Sequence, residues 1–351
     1  MRRRELFPNV TSEKGVSYEG NRGNAVFMFR LREEGEREER RIDGRRGIAL
    51  ILCLVMLTLL IVIAYQFSFS ANVDRHLTGN LSSRSRNYFA ARGALALVKG
   101  YLKKDITNNP IDTLKDCWVE GEYLKSCDLG QAKVSVEVWD AERLLCLNNM
   151  SKKSERFYAR TRDSLKRLIE ILGIESGDNA SLYQRICDYI DEDKDGDYEE
   201  GAANKPLFLI EDLLSIDGVT ARYYKGWTDK FGTTHKGFYE TTTEWGSGRI
   251  NINTAPKEVL MAMSSAISET DADNIIAYRE ENDFTTVQDL TKVEGLSDIF
   301  VRDKSLRDFL TTVSTVFIAH IKAESDGRTL KVRAVFRRDP QGIKLIAWKE
   351  E

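Results

Sequence analysis

Between Arg46 and Asp74 the chain reads GIALILCLVMLTLLIVIAYQFSFSANV, residues 47–73, without a single charged side chain. A bilayer core about 30 Å thick asks for about 20 consecutive apolar residues. Residues 48–64, with Tyr65 and Phe67 at an interfacial flank, come close to that length. The run predicts one membrane-spanning helix over residues 48–70. A secretory signal would carry a small-residue cleavage site behind its apolar core, but Ala64 leads into Tyr65-Gln66-Phe67 and no A-x-A pattern follows. The small residue stands in front instead, in Arg45-Arg46-Gly47. The Arg-rich stretch before the helix holds that side in the cytoplasm, so everything after Ser70 is expected on the far side of the membrane.

Outside this segment the composition is that of a globular protein. The 351 residues are 42% hydrophobic and 30% charged, enough for a sizeable core and for one or two domains. A net charge of -3 gives no electrostatic reason to expect nucleic acid as the main partner. The first residues are polar and of mixed charge, and Met28 opens a shorter, more conventional leader. Residues 1–47 are therefore set apart from the fold.

Helical periodicity continues past the anchor: Val73, Leu77, Leu81, Tyr88 and Leu95 recur at spacings of four and seven. One helix is expected from about residue 48 to about residue 103, its outer half packing this stripe onto a soluble domain. Asn108, Asn109 and Pro110 stop it. Strict apolar and polar alternation over residues 132–138 predicts a strand. Residues 313–323, 330–336 and 343–348 alternate likewise, separated by Ser325-Asp326-Gly327 and Asp339-Pro340-Gln341-Gly342. These three form an expected antiparallel meander that the first strand joins. Between them, Leu165, Leu168, Ile169 and Leu172, then Leu182, Ile186 and Ile190, repeat with a helical period. The expected fold class is α+β: a long N-terminal helix on an antiparallel sheet, with a large α-helical insert. The implied segments are 1–47 (leader), 48–70 (anchor), 71–150, 151–310 (insert) and 311–351 (closing strands).

Few residues carry candidate chemistry. Asp191, Asp193, Asp195 and Asp197 alternate along DEDKDGD with glycine at the sixth position, as in an EF-hand-type calcium loop. The twelfth position is Ala202, so Glu199 or Glu200 would have to complete the shell. Oxygen donors in an exported protein favour Ca²⁺ over a soft metal, and the alternative is a solvated acidic loop. Cys117 and Cys127 bound CWVEGEYLKSC, which can turn at Glu120-Gly121-Glu122 and bring the sulfurs together; two unrelated thiols are the other reading. GRININTAPKEVLMAM and IIAYREENDFTTVQDL look like a helix-hairpin-helix unit, with Asn253-Thr254-Ala255-Pro256 capping a helix. Acidic residues outnumber basic ones from Glu258 to Asp308, which argues against phosphate binding there. Three scattered histidines and no glycine-rich phosphate loop leave an enzyme without raw material.

Several of these segments stand in a fixed order: RRGIALIL, WDAERLLCLNN, YQRICDYIDEDKDGD, KPLFLIEDLLSIDGVT, GRININTAPKEVLMAM. In that order they resemble the minor pseudopilin K family of type II secretion systems (general secretion pathway protein K). The resemblance implies a pilin-like fold, prepilin-peptidase processing between Gly47 and Ile48, and calcium in the helical domain. It also implies the bacterial inner membrane with a periplasmic bulk, and a place among other minor pseudopilins at the tip of a pseudopilus that serves secreted proteins and a secretin. Ordinary pilins carry a glutamate at the fifth mature position; here that position is Leu52. A carboxylate is costly in a bilayer and is kept where it has a role, so its absence suits a tip subunit. The rival is a competence-type or type IV pilus minor pilin whose helix-hairpin-helix modules bind DNA.

Overall fold

The structure, a computed structural model, describes residues 22–174 and 179–351, with side chains from Gly47 onward except at Asn179 and Ala180. The chain forms two compact units, Met1–Gly79 and Asn80–Glu351. The expectations for residues 1–21 of the leader lie outside the described residues.

In the first unit the described residues are one helix, α1, which spans Arg22–Asn108 and so continues into the second unit. Its apolar part is long enough to cross a membrane. Every large apolar side chain from Ile48 to Phe69 is more than half exposed, so among the described residues nothing removes this surface from solvent. A helix satisfies its own backbone hydrogen bonds, which is what a hydrocarbon environment demands. Thr58 adds its hydroxyl to the Val55 carbonyl at 2.8 Å, leaving no idle donor there.

The second unit begins as α1 reaches an antiparallel sheet of five strands in the order β1-β2-β3-β4-β5. They are β1 (Cys127–Leu129), β2 (Ala132–Asp140), β3 (Val316–Ser325), β4 (Arg328–Asp339) and β5 (Gly342–Glu350). Thus the early strand does join the C-terminal meander, with Val134 opposite Ala323 and Val136 opposite Ile321. Alternation fixes the faces: Val134, Val136, Val138, Phe317, Ala319, Ile321, Ala334 and Phe336 share one core with α1. Between β3 and β4, Asp326 and Gly327 both take positive φ (49° and 70°), the geometry of a two-residue hairpin turn.

The face that α1 offers is not the expected one. Of the expected stripe Leu95 does pack against the core, but Leu77 and Leu81 are 54% and 69% exposed, and the buried residues include Ser83, Asn87, Ala90, Ala91, Ala94, Val98, Leu102 and Asp105. Small side chains let the helix come close to the sheet: a Cβ on Gly93 would already stand 3.2 Å from Leu129. The Asn87 amide donates to the Arg328 carbonyl at 2.9 Å, clamping the helix to the β3–β4 turn. Size at the interface outweighed hydrophobicity along the stripe.

The insert has its own core. Three helices of 12 to 14 residues carry it: α2 (Tyr158–Ile171), α3 (Asn179–Ile190) and α4 (Glu269–Glu281). Leu165, Leu168, Ile169, Ile186 and Ile190 pack there with Val259, Leu260 and Ile275, and Leu145, Leu147 and Met150 join from the end of the first sheet segment. Shorter turns and two-residue strand pairs fill the rest. One such pair, Ile250–Asn251 with Leu310–Thr311, brings the start and end of the helix-hairpin-helix stretch side by side.

Candidate functional site

The acidic loop follows directly from α3. Asp188, on the last turn of that helix, is 6% exposed and accepts the Tyr198 amide at 3.0 Å, folding the loop back onto the helix. Gly196 is required there because a Cβ would lie 2.4 Å from the Asp188 carboxylate. Asp191, 4% exposed, meets Arg162 at 3.5 Å. Asp193 caps the loop by accepting the Asp195 amide at 3.1 Å and pairs with Lys153 at 3.0 Å. Asn204, held at φ 47°, donates to Glu199 at 2.8 Å and to the Asp193 carbonyl at 3.2 Å.

Among the described residues, carboxylate oxygens of Asp191, Asp193 and Glu199 lie within 4.8 Å of one another. Asp195, Asp197 and Glu200 fall outside that triplet; Asp197 and Glu200 line a separate cavity of about 400 Å³ with Arg185 and Tyr198. Burial, then the charge of Asp193, pushes the Asp191 carboxyl up to about 6, against the pull of Arg162. The Lys153 ammonium holds Asp193 below the usual carboxylate range. Three buried oxygens, Asp191 Oδ1, Glu199 Oε1 and Asn204 Oδ1, have no hydrogen-bond partner among the described residues. Orphaned oxygens around a carboxylate triplet fit a hard cation such as Ca²⁺, and the donor set contains no soft ligand. Sequence reading missed Asp188 and Asn204. Asp188 sits before the motif, and Asn204 is two residues past the twelfth position.

The motif residues WDAERLLCLNN and GRININTAP meet at the junction of sheet and insert. Asp140 Oδ2 accepts Thr254 Oγ1 and Ser314 Oγ, both at 2.7 Å. Glu142 accepts Thr315 Oγ1 at 2.6 Å and the Ser247 amide at 3.0 Å. Asn148 donates to the Leu207 and Glu244 carbonyls and accepts the Leu207 amide. Burial raises both the Asp140 and Glu142 carboxyls, with their hydrogen bonds working the other way. Across the junction Arg333 of β4 grips Glu244 with two parallel bonds of 2.7 and 3.1 Å. These polar residues hold two folded layers together.

Two further expectations need correction. Asn253 and Thr254 do not cap the following helix: Asn253 takes and gives hydrogen bonds with the Phe284 backbone, Thr254 serves Asp140, and Pro256 itself precedes Lys257–Ala262. The helix-hairpin-helix ends are thereby tied to each other and to the sheet. Cys117 and Cys127 are free thiols. Cys117 opens a short helix and points its sulfur at the Tyr101 carbonyl, 3.6 Å away, whereas Cys127 opens β1 beyond the intervening turn Glu122–Lys125. In the hairpin loop the site of Gly295 faces Asp271, whose Oδ1 would stand 2.6 Å from an added Cβ. A carboxylate therefore occupies the approach to that loop.

A family model described as "Type II secretion system (T2SS), protein K" matches residues 250–312. The putative type II secretion system protein K of Escherichia coli K12 is 26% identical over 200 residues, 52% of this chain and 61% of that protein. The chain thus matches about three fifths of that relative's length. Over 50 residues it is 48% identical to the ComE operon protein 1 of Bacillus subtilis, covering 14% of this chain and 24% of that protein. In fold it is similar to a chain in the crystal structure of the GspK-GspI-GspJ complex from enterotoxigenic Escherichia coli. That likeness has a TM-score of 0.64 at 18% identity, over 78% of this chain and 99% of the other. An apolar N-terminal helix continuing onto an antiparallel sheet, a helical insert between β2 and β3, and the match over residues 250–312 agree in one respect: the chain is similar to type II secretion system protein K.

Proposed function

We propose that the protein is a minor pseudopilin at the tip of a type II secretion pseudopilus, anchored in the bacterial inner membrane with its bulk in the periplasm. Its role is structural, without catalysis. Prepilin peptidase removes the leader between Gly47 and Ile48. Residues 48–70 then anchor the subunit, 71–150 and 311–351 form the pilin-like part, and 151–310 cap the tip. The observation that carries this reading is Leu52: the apolar helix that continues onto the sheet has no carboxylate at its fifth mature position. Such a helix can pack beside others in the bilayer but cannot neutralise the terminal amine of a subunit that follows, so it suits an end rather than a repeat. Its partners are other minor pseudopilins, and secretin and secreted proteins are reached through the assembly. Asp191, Asp193 and Glu199, with Asn204 in reach, would hold Ca²⁺ and let it neutralise charge that the loop otherwise leaves to Lys153 and Arg162.

Co-expression with the neighbouring prepilin-like genes and the peptidase tests the reading. The mature chain should begin at Ile48 and co-elute with those partners from a detergent extract. An intact leader, or a chain that elutes alone beside its cognate subunits, would overturn it. The DNA-binding alternative predicts instead that the purified chain retards a duplex at physiological salt, which the Asp271 carboxylate beside Gly295 opposes.

A further inference from the structure

Away from the loop, the C-terminal end of α1 holds a second group of carboxylates. Asp105 and Asp112 are each 1% exposed and Asp116 is 6% exposed, and one oxygen from each lies within 4.8 Å of the others. They come from the last turn of α1 and the connection that follows it. Among the described residues one cation is paired with them: Arg338 of β4 bridges Asp112 and Asp105, the latter at 3.4 Å, and also donates to the Ser314 carbonyl. Asp140, the next carboxylate toward the junction, has Arg143 for its own counter-charge. When all three are ionised, three buried carboxylates against one guanidinium leave two negative charges without an opposite among the described residues. Burying charge in that state is strongly unfavourable.

Hydrogen bonds account for most of the oxygens but not all. Asp116 accepts the Thr113 amide at 2.7 Å and the Trp118 indole at 3.2 Å, and Asp112 Oδ2 accepts the Ser314 amide at 2.7 Å. Asp112 Oδ1 is fully buried and has no hydrogen-bond partner among the described residues. Asn109 sits between the outer two carboxylates, its amide donating to Asp105 Oδ1 at 3.3 Å and Asp116 Oδ1 at 3.1 Å. A half-turn of that amide exchanges its donor for a carbonyl oxygen. We propose that Asp105, Asp112 and Asp116, with Asn109 as a fourth oxygen ligand, form a binding site for a hard divalent cation that fastens the end of α1 to the sheet.

A dication brings the four charged side chains to neutrality, which a single proton does not. Oxygens ligating Ca²⁺ at about 2.3–2.6 Å lie within about 5 Å of one another, the spacing found here. Arg338 stays as the outer counter-charge, so filling the site links α1, the α1–β1 connection and β4.

The site is separable from the acidic loop because a tryptophan touches it. Trp118 donates to Asp116, and energy transfer from its indole sensitises a bound terbium ion. The full chain in detergent micelles is titrated with Tb³⁺ under tryptophan excitation, and bound calcium per chain is measured by equilibrium dialysis. Both are done in wild type and in a loop-silenced variant, Asp191→Asn with Glu199→Gln. The loop-silenced chain is expected to keep the tryptophan-sensitised signal and to bind one calcium ion. Adding Asp112→Asn and Asp116→Asn, which preserve shape, should abolish both. Trp118→Phe should remove the luminescence. A loop-silenced chain that binds no ion overturns the proposal without reference to any cluster variant, and so does a signal that survives loss of Asp112 and Asp116.

Discussion

Breaking the Arg333–Glu244 pair offers the sharpest test of how insert and sheet are joined. The two side chains are 5% and 1% exposed and meet through two hydrogen bonds, so the pair gains little from water. Glu244→Ala removes the carboxylate and strands a guanidinium whose Nε already lacks a partner. Stranding one member of a buried pair costs about 3–5 kcal/mol. At about 2–4 °C per kcal/mol for a unit of this size, the midpoint should fall by about 6–20 °C. Replacing both residues together, Arg333→Met with Glu244→Leu, removes the charge and keeps the volume, and should return stability to within about 2 kcal/mol of wild type. Thermal unfolding of the full chain in detergent is followed by circular dichroism for Glu244→Ala, and for Arg333→Met, Glu244→Leu and their double, which supply the cycle. If Glu244→Ala costs less than about 1 kcal/mol, the pair behaves as a solvated surface bridge and the reasoning fails. A double variant as unstable as the sum of the singles would refute it equally.

Three other outcomes are expected. Calcium at about 100 times a site's dissociation constant should raise stability by about 2.7 kcal/mol for that site over chelator, and Asp191→Asn should remove the acidic loop's share of the shift in melting curves. Gly196→Ala forces a methyl group against Asp188 and should cost about 1–3 kcal/mol while weakening calcium binding, measured by titration calorimetry. Burial, and then the neighbouring Arg333, pushes His320 down to about 4 from its ordinary 6.5. Because the folded value is the lower one, this stability is complete above about pH 6.5 and is lost as pH falls toward 4, by up to about 3 kcal/mol. His320→Gln should flatten that part of a denaturation-against-pH curve, and an unchanged slope would place the acid sensitivity elsewhere.

How much of this was legible in the sequence depended on whether the signal was local. Residues 47–73 declare their solvent by composition alone, because a bilayer acts on each side chain independently. The four long strands are equally visible, since a period of two records which side chains face a core whatever that core contains. The helical face was misread because Leu77 and Leu81 obey the period but Ala90, Ala91 and Ala94 make the contact. Only the approach of the sheet decides that small residues win. The acidic loop was half legible: Asp191 and Asp193 follow the motif, while Asp188 and Asn204 enter through a backbone reversal that spacing does not encode. The junction residues Asp140, Glu142, Asn148, Glu244, Asn253 and Arg333 looked like scattered polar side chains. Tertiary structure made them partners, because a buried donor or acceptor must find its complement wherever the fold brings one, and the sequence separation between the two places no limit on where that is.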